Sequence, residues 1–462
     1  MLANRRARDA DDFAYVTAEE IAKRVDEAGL RLVRFLWCGN DGTVRAKSSA
    51  RHGLEGRLEA GIGLTVAMQA MNGLDQLQPV PGMGPVGEIR LVPDLDTFRE
   101  LPYAPHTGAV LTDHVRLDGV PAAVCQRSFL KRMEARVAER GLVLRVSFEN
   151  EFSLATKVDG TYVPIDSGLC FSTISATAAQ DYAEDLAAAL DAQAIPLEQY
   201  YAELGHGQQE ISTGHAPATV AVDEQLLVRE TIRAIARRHG LVASLAPKPW
   251  PDNAGNGGHV HFSLWDGERN RFYDAGRADG LSDDARSFLA GVLAHLPGLC
   301  ALTAPSFNSY QRIVPQYWAG AFVCWGFDNR EAPVRIASTF RGAEEASTNA
   351  ELKACDASCN PYLAVGGLIA AGLDGLERGL DLPEPVDVDP ATIPDDERTR
   401  RGIVRLPATQ AEALDALEAD ALLISNLGSV LAESYLAVRR SEWAAYSAGD
   451  AAFEQQGHFE KY

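Results

Sequence analysis

The chain has 462 residues, is 46% hydrophobic and carries a formal net charge of −21. This length and apolar content can bury a large core, and they indicate two or three domains. The negative charge argues against a nucleic-acid partner and against binding to an anionic membrane, because both are polyanions. It is compatible with the binding of cations, metals or amines.

Neither a membrane span nor a secretory signal is predicted. The longest apolar runs, such as 363–373, are too short to cross a bilayer. Residues 1–9 include several basic side chains, but no apolar segment follows them. The seven cysteines are scattered, and Cys355 and Cys359 are not at the C-x-x-C spacing of zinc and redox sites. We therefore expect a cytoplasmic protein with reduced thiols.

The first predicted elements are a helix and a hairpin. A Thr at the N-cap and a Glu three residues later predict a helix at 17–29. The runs 30–38 and 43–49 flank a Gly-Asn-Asp-Gly turn and predict an antiparallel strand pair. Residues 61–86 are rich in Gly and Pro and are predicted to be irregular.

Two further strands, at 88–93 and 109–113, complete this N-terminal unit, and a helix at 127–140 begins a second one. The run 82–87 matches G-x-G-x-x-G. It contains Pro and leads into a strand rather than a helix, so a dinucleotide-binding loop is not predicted.

Beyond residue 140, strands and helices are mixed without strict alternation, which indicates an α+β fold rather than a doubly wound sheet. The predicted elements are a strand at 145–154, helices at 183–192, 223–239 and 361–379, a mostly helical segment at 411–446 and an acidic, Pro-containing loop at 383–401. We divide the chain into an N-terminal domain at 14–115 and a larger domain at 120–462.

The predicted strand 145–154 carries Glu149 and Glu151. Side chains alternate along a strand, so both carboxylates project from one face. Two adjacent like charges are unfavourable unless cations lie between them. The alternative is a solvated strand edge with two ordinary acids.

A second acidic pair, Glu203 and Glu210, is separated by seven positions. On one straight strand these side chains would face opposite sides. Gly205 and Gly207 lie between them and allow a bend that can bring the carboxylates together. The alternative is a surface turn flanked by two acids.

A Gly-rich turn at 252–258 leads into a strand with His259 and His261 on one face. Backbone amides of such a turn can bind a carboxylate or phosphate, and two histidines at this spacing can bind a metal. A structural role or a zinc site is the alternative. Glu351 and Lys353 also lie at i and i+2 on a predicted strand, where an exposed charge pair is the alternative.

Five carboxylates and a histidine exceed the needs of tetrahedral zinc, and oxygen-rich ligation favours Mg²⁺ or Mn²⁺. Two divalent ions beside arginines suit phosphoryl transfer from ATP. The candidate arginines are Arg312, Arg330 and Arg335. Their planar side chains can bind carboxylates and phosphates in a bidentate manner, although each one alone is more typical of a surface charge.

In this order and spacing, the segments resemble the glutamine synthetase superfamily over most of the chain. The matching motifs are 148–152, the Glu203/Glu210 pair, 256–259, 308–315 and 360–364. The resemblance implies a small N-terminal β-grasp domain followed by a large catalytic domain. It also implies a homo-oligomer, a dodecamer of two hexameric rings in which neighbouring subunits share each site.

The resemblance further implies a role for each candidate residue. Two or three Mg²⁺ or Mn²⁺ ions are implied, one held by Glu151, Glu203 and Glu210 and another by Glu149, His259 and Glu351. Glutamate binding is implied for Ala254, Gly255, Arg312 and Lys353. ATP binding is implied for His261, Ser263, Arg330 and Arg335. Catalytic roles are implied for Arg330, Glu351 and Lys353.

The chain departs from glutamine synthetases where ammonium would bind. Those enzymes carry a flap Glu that closes the site and helps to deprotonate ammonium, and this chain has Trp318 there. The nearest counterpart of a second family acid, in 61–68, contains no acid. Lys353 replaces an Arg of those enzymes. The segment 318–326 resembles the subgroup of γ-glutamyl amide ligases, in which Trp318 and Leu64 would line a pocket for an amine with a carbon chain.

The sequence therefore predicts an ATP-dependent ligase that joins the γ-carboxylate of L-glutamate to a primary amine through γ-glutamyl phosphate. An ethanolamine-like monoamine is favoured, because the second anionic contact that a polyamine needs is not evident, and a polyamine is the next choice. Two alternatives stay open. One is a true glutamine synthetase that uses ammonium, and the other is a non-catalytic glutamine-synthetase-like protein, which the six retained metal ligands argue against.

Overall fold

Two β-sheets organise the structure, a computed structural model that describes residues 16–462. A five-stranded sheet lies in the N-terminal part, and an eleven-stranded sheet lies in the rest of the described chain. The basic stretch 1–9 and residues 14 and 15 of the predicted N-terminal domain lie outside the described residues. The domain limits proposed from the sequence stay a prediction.

The N-terminal part contains two α-helices, five strands and a short 3₁₀ helix at Val66–Ala70. In chain order the helices and strands are α1 (Ala18–Glu27), β1 (Leu32–Cys38), β2 (Val44–Ala50), α2 (Leu54–Ala60), β3 (Ile62–Thr65), β4 (Glu88–Glu100) and β5 (Thr107–Arg116). The sheet order is β2-β1-β5-β4-β3, with β1 and β5 parallel at its centre. Ile21 of α1 and Leu54 of α2 share one apolar core with Phe35 and Leu91 of the sheet.

The predicted N-terminal helix and hairpin are confirmed. In α1, Thr17 and Glu20 form a reciprocal capping box: Glu20 N donates to Thr17 Oγ1 at 3.2 Å, and Thr17 N donates to the Glu20 carboxylate at 2.7 Å. These bonds satisfy two backbone amides that a helix N-terminus leaves without partners. In the hairpin, β1 and β2 pair antiparallel from Cys38 and Val44 outward.

The prediction for 61–86 is wrong in part, because β3 and the 3₁₀ helix lie there. Strand β3 is only four residues long, and Ile62 and Leu64 are its only large apolar residues. An alternation of two residues is too short to predict a strand. Helix α2 was not predicted. Strand β4 is longer than predicted, because its pairing with β5 resumes at Arg99 after a bulge that follows Asp94.

The larger part mixes strands and helices along the chain. Its strands are β6 (Val143–Val158), β7 (Thr161–Pro164), β8 (Leu197–Ala202), β9 (Gln208–Thr213), β10 (Ala216–Pro217), β11 (Val242–Ser244), β12 (Gly258–Asp266), β13 (Arg269–Asn270), β14 (Trp325–Phe327), β15 (Val334–Ile336) and β16 (Ala350–Leu352). Its helices are α3 (Gln126–Ala138), α4 (Thr173–Ala178), α5 (Gln180–Ala192), α6 (Ala218–Arg238), α7 (Asp283–Thr303), α8 (Ser309–Arg312), α9 (Glu344–Ser347), α10 (Pro361–Arg378), α11 (Asp395–Arg400), α12 (Gln410–Ala419), α13 (Ala421–Leu427), α14 (Ser429–Ala448) and α15 (Ala451–Phe459).

The predicted helices of this part are confirmed as α3, α5, α6 and α10, and the segment 411–446 is divided among α12, α13 and α14. The prediction of a loop at 383–401 is wrong in part. A 3₁₀ helix at Pro390–Thr392 and helix α11 lie within it. Helix α11 follows Pro394 and has three acids in its first turn, a favourable arrangement at a helix N-terminus.

The large sheet has the order β14-β15-β16-β12-β6-β9-β8, and the long strand β6 lies near its middle. Strands β12 and β9 flank β6 on either side, both antiparallel to it. Strand β16 pairs antiparallel with β12. This order brings the predicted metal-binding segments of four separate stretches of sequence next to one another.

Helices α7 and α10 pack closely, because glycines stand at their crossing. A Cβ at Gly375 would lie 1.9 Å from Ser287 O, and a Cβ at Gly291 would lie 2.2 Å from Ala371 O. Within residues 16–462, α7 is the one unbroken helix with the length and apolar character of a membrane span. Since 72% of its apolar window is buried inside the protein, it has the environment of a core helix.

Candidate active site

Strand register places the first group of predicted metal ligands together. His259 on β12 pairs with Glu149 on β6, and Glu351 on β16 pairs with the neighbouring His261. His259 Nδ1 lies 3.2 Å from Glu351 Oε1 and 3.5 Å from Glu149 Oε2. Glu149, His259 and Glu351 each offer a ligand atom within 4.8 Å of the others, so they can hold one metal ion.

The second group is built by the β8–β9 hairpin. Glu151 on β6 pairs with Glu210 on β9, and Glu203 N donates to Gln208 O at 2.9 Å across the turn. Gly207 takes a positive φ of +67°, and a Cβ there would lie 2.5 Å from Leu154 O. The bend expected from the glycines is therefore present, and it turns Glu203 back towards Glu210.

Burial and mutual repulsion disfavour the charged forms of Glu203 and Glu210 in the second group. Burial raises the pKa of Glu210 to about 10, and the negative charges of Glu151 and Glu149 add to the effect. Burial, followed by the charge of Glu151, also raises the pKa of Glu203. Tyr201 donates to Glu210 Oε1 at 2.6 Å and gives it only partial compensation. Divalent cations would relieve this repulsion, so these residues fit a metal site.

His261 faces the first group rather than lying apart from it. Its Nε2 is 3.2 Å from Glu149 Oε1, and its Nδ1 is 2.8 Å from Asn349 Oδ1. Burial lowers the pKa of His261, but the charge and hydrogen bond of Glu149, the charge of Glu351 and the hydrogen bond to Asn349 together outweigh it, and the pKa rises to about 9. Ser263 lies two residues further along the same face of β12 and accepts a hydrogen bond from Trp265 Nε1 at 2.8 Å. The ATP-binding roles of His261 and Ser263 stay a prediction.

Cations border the acidic groups. Arg335 Nε lies 2.7 Å from Glu351 Oε2, and Lys353 Nζ lies 3.4 Å from Glu351 Oε1. Burial raises the pKa of Glu351, but the charges of Lys353, His259, His261 and Arg335 together outweigh it, and the pKa falls to about 2. Arg330 is exposed, and its charge reaches Glu203. The rim therefore carries three positive side chains that can meet anionic groups.

The predicted glutamate-binding segment packs against Arg312. A Cβ at Gly255 would lie 2.7 Å from Arg312 Cγ and 2.6 Å from Pro247 O, so only glycine fits there. The buried Arg312 donates through Nη2 to Lys353 O at 3.2 Å and to Cys355 O at 2.8 Å. The preceding Ala254 packs near the β8–β9 turn. The structure thus brings Gly255, Arg312 and Lys353 together.

Trp318 and Leu64 are not brought together within the described chain. Trp318 lies on an irregular segment and is 59% exposed. Leu64 is buried in the apolar core of the N-terminal part, which includes no residue of 316–335. A shared acceptor pocket would therefore need a neighbouring subunit, and that pairing stays a prediction.

Two residues of the site were not singled out from the sequence. Gln208 Nε2 donates to Gly255 O at 2.9 Å and lies 3.3 Å from Glu151 Oε2, so it links the hairpin to the Gly-rich turn. Glu331 accepts hydrogen bonds from backbone amides of the Trp318 segment. No spacing pattern in the sequence indicates a role for Gln208. Glu331 lies between the candidate residues Arg330 and Arg335, and that position is a signal that could have identified it.

Comparison with protein-family models finds two matches along the chain. Residues 18–122 match the glutamine synthetase N-terminal domain, and residues 123–457 match the glutamine synthetase catalytic domain. The predicted resemblance is confirmed, as is the predicted fold class of a small N-terminal domain followed by a large domain of mixed helices and strands.

Similar proteins are found over most of the chain. Gamma-glutamylpolyamine synthetase GlnA3 of Streptomyces coelicolor is 38% identical over 418 residues, which cover 90% of either chain. A glutamine synthetase of Methanocaldococcus jannaschii is 35% identical and covers 77% of this chain and 79% of its own. A solved glutamine synthase homologue is 33% identical, with a TM-score of 0.84, and covers 94% of this chain and 99% of its own. A GmaS/ADP complex is 28% identical, with a TM-score of 0.82, and covers 94% and 98%.

Proposed function

Because this chain belongs to the glutamine synthetase family, we propose that it is an ATP-dependent ligase that joins the γ-carboxylate of L-glutamate to a primary amine. The observation that carries the proposal is the convergence of five carboxylates and His259 on one region of the large sheet, bordered by Arg330, Arg335 and Lys353. Oxygen-rich sites of this kind suit divalent ions and phosphoryl transfer.

In the proposed reaction the γ-carboxylate of glutamate attacks the γ-phosphorus of ATP, which gives γ-glutamyl phosphate and ADP. The divalent ions would supply charge neutralisation for the phosphoryl group when bound. Arg335 is held in place by Glu351, and the exposed Arg330 is free to reach a phosphate oxygen from the rim. The neutral amine nitrogen then forms the C–N bond to the acyl carbon, the C–O bond to phosphate breaks, and the proton that the nitrogen loses leaves with the released hydrogen phosphate.

Glutamate would bind beside Gly255. The absence of a side chain at Gly255 lets Arg312 pack directly against the backbone, and Arg312 is fixed there by hydrogen bonds to two carbonyl oxygens. Lys353, whose charge is balanced by Glu351, borders the same region. A buried arginine and an adjacent lysine suit the recognition of the carboxylates of an amino diacid.

The acceptor is proposed to be an alkyl amine rather than ammonium. Trp318 replaces the acid that an ammonium site needs, and an exposed indole can attract an ammonium head and contact an alkyl chain. The sequence favours an ethanolamine-like monoamine. The similarity to gamma-glutamylpolyamine synthetase GlnA3 favours a polyamine. So does Asp389, which lies beside the Trp318 segment and offers a second anionic contact.

Phosphate release measured with glutamate, ATP and Mg²⁺ or Mn²⁺ tests this proposal. We would compare ammonium, ethanolamine, putrescine and spermine at matched concentrations, with a control that lacks glutamate. The expected result is a kcat/KM for at least one alkyl amine that exceeds the value for ammonium by about 100-fold or more. Contacts that one acceptor makes and the other lacks can produce a selectivity of this size. A clear preference for ammonium would identify a true glutamine synthetase instead.

The non-catalytic alternative predicts no glutamate-dependent phosphate release with any acceptor. The retention of all six candidate metal ligands argues against it, as does the proximity of Glu149, His259 and Glu351, whose ligand atoms lie within 4.8 Å of one another. A homo-oligomer of two hexameric rings is also proposed, since an acceptor pocket that pairs Trp318 with Leu64 would have to form across a subunit boundary. Its mass in solution, measured by light scattering, would test that assembly.

A further inference from the structure

The segment that carries Trp318 has an unusual backbone. Gln316 and Trp318 both take positive φ angles, +67° and +54°, and Gly320 follows at +71°. Residues with a side chain seldom adopt this region, and they keep it only where the surrounding structure holds them there. Two such residues within three positions mark a turn whose shape is imposed by its neighbours.

Glu331 supplies that restraint. Its Oε1 accepts a hydrogen bond from Trp318 N at 2.8 Å, and its Oε2 accepts one from Gln316 N at 3.2 Å. One buried carboxylate thus binds the backbone amides of both left-handed residues. Glu331 is only 8% exposed, so these bonds are largely shielded from water.

Glu331 is itself anchored to the acidic loop. Asn329 Oδ1 accepts from Glu331 N at 3.0 Å, and Asn329 Nδ2 donates to Val386 O at 2.8 Å and to Val388 O at 3.0 Å. Gln316 Nε2 donates to Asp389 Oδ2 at 3.1 Å. The turn and the loop are therefore connected through Glu331 and through a second, independent bond.

Apolar burial does not hold the tip of this turn. The side chains of Tyr317 and Trp318 are 62% and 59% exposed, although both are aromatic. The base is packed, because Ala319 is buried and a Cβ at Gly320 would lie 2.5 Å from Pro333 Cα. The two exposed aromatic side chains lie on a restrained backbone, so they are available for contact with a molecule outside the core.

The turn lies at the cationic border of the site. The charge of Lys353 reaches the Glu331 carboxylate, and Arg330 is the preceding residue, whose charge reaches Glu203. The two backbone amides occupy the Glu331 oxygens, so the exposed indole of Trp318 is the surface that the turn presents. A primary alkylammonium matches this surface, because its chain and its charged head can both contact the ring. Ammonium offers no chain to contact.

We propose that Glu331 is a positioning residue that fixes the Trp318 turn and thereby sets the preference for alkyl amines over ammonium. This inference rests on the proposed function. Each Glu331 oxygen accepts one backbone amide in the described structure, so replacement by Gln removes one of the two acceptors and puts an NH₂ group against an amide N–H.

The test compares the wild type with Glu331→Gln, Trp318→Ala, the double variant and Glu433→Gln, which alters an exposed acid on α14. Hydrogen exchange of the peptide that covers 314–322 reads the turn without any activity measurement. We expect Glu331→Gln to speed exchange there at least tenfold, and Glu433→Gln to leave it unchanged. Unchanged exchange in Glu331→Gln would overturn the positioning role.

Steady-state kinetics measure the effect of these substitutions on the preference for alkyl amines over ammonium. In Glu331→Gln, KM for the best alkyl amine is expected to rise at least tenfold, while KM for glutamate and ATP stays within twofold. Trp318→Ala should show the same loss, and the double variant no further loss. A drop in kcat with an unchanged amine KM, or additive losses, would overturn the proposal. A wild type that prefers ammonium refutes the proposed function and the selectivity role, while the exchange result still decides whether Glu331 fastens the turn.

Discussion

His259 lies directly opposite Glu149 in the antiparallel register of β12 and β6, and His259 Nδ1 is 3.5 Å from Glu149 Oε2. One strand over, Glu351 pairs with His261. Paired residues share a face of the sheet, so each strand adds its candidate metal-binding side chain to the same side. Regular strand pairing, rather than a special loop, assembles the first group of candidate ligands.

Replacement of Glu351 by Gln should weaken metal binding and the reaction together. Glu351 is 1% exposed and contacts His259, Arg335 and Lys353, so the loss of its charge removes a ligand and frees two cations. We expect the Kd for Mn²⁺ to rise about tenfold or more and kcat to fall at least about 100-fold. Calorimetric Mn²⁺ titration and phosphate release measure the two effects. Wild-type Mn²⁺ affinity in the variant would contradict the ligand assignment, and Glu433→Gln is the matched control.

Divalent cations should stabilise the folded protein. The second group places the carboxyl groups of Glu151, Glu203 and Glu210 in one partly buried region, where burial and mutual repulsion raise the pKa values of Glu203 and Glu210, and bound cations would offset both effects. Mn²⁺ at 100 times its Kd adds about 2.7 kcal/mol, which corresponds to a rise in Tm of roughly 3 °C for a chain of this size. Thermal unfolding with Mn²⁺ and then with EDTA measures the change.

A variant makes this stability test specific. Glu210→Gln removes one carboxylate of the second group and should reduce the Mn²⁺-induced rise in Tm by at least about half. Its Tm without metal should not fall below that of the wild type, because burial raises the pKa of Glu210 to about 10 and Glu210 is then neutral at pH 7, as Gln is. An undiminished rise in Glu210→Gln would show that Mn²⁺ acts elsewhere.

The parts of the site that were predicted from the sequence are those fixed by local periodicity. The alternation of side chains predicted that Glu149 joins Glu151, and two glycines predicted the return of Glu203 to Glu210. The role of Glu331 was not predictable in this way, because it depends on the φ angles of Gln316 and Trp318 some fifteen positions earlier.

Strand β3 illustrates a different limit of the sequence. Its four residues include Gly63, and its place in the sheet is decided by pairing with β4, where Leu64 lies opposite Ile89. Such a short strand is stabilised by its neighbour rather than by its own propensity. The same holds for the continuation of β4 past its bulge, which depends on β5.

His114 should make the protein sensitive to acid. Burial lowers its pKa to about 4, although the charge of Asp113 opposes the shift, and Gln69 Nε2 lies 3.2 Å from its Nε2. The unfolded chain, with a pKa near 6.5, binds the proton more readily than the folded one. Stability is therefore complete above pH 6.5 and decreases as the pH falls towards 4. The expected loss between pH 7 and pH 5 is about 2 kcal/mol.

Urea unfolding at pH 7 and at pH 5 measures this dependence. His114→Gln keeps an acceptor for Gln69 and cannot be protonated, so its difference between the two pH values should be smaller by about 2 kcal/mol. His52→Gln, at an exposed position, is the control and should retain the wild-type difference. An equal pH dependence in His114→Gln and the wild type would show that other groups govern the loss.

Two Gly→Ala substitutions should change stability in opposite directions. At Gly375 the new methyl group would lie 1.9 Å from Ser287 O and 2.7 Å from Gly291 N, so α7 and α10 must move apart. The expected cost is about 1–3 kcal/mol. Gly56 is interior to α2 and has nothing within 4 Å of the added Cβ, so Ala there should stabilise the protein by up to about 1 kcal/mol. Unfolding midpoints of both variants measure the effects, and destabilisation by Gly56→Ala or tolerance of Gly375→Ala would contradict the packing described for these helices.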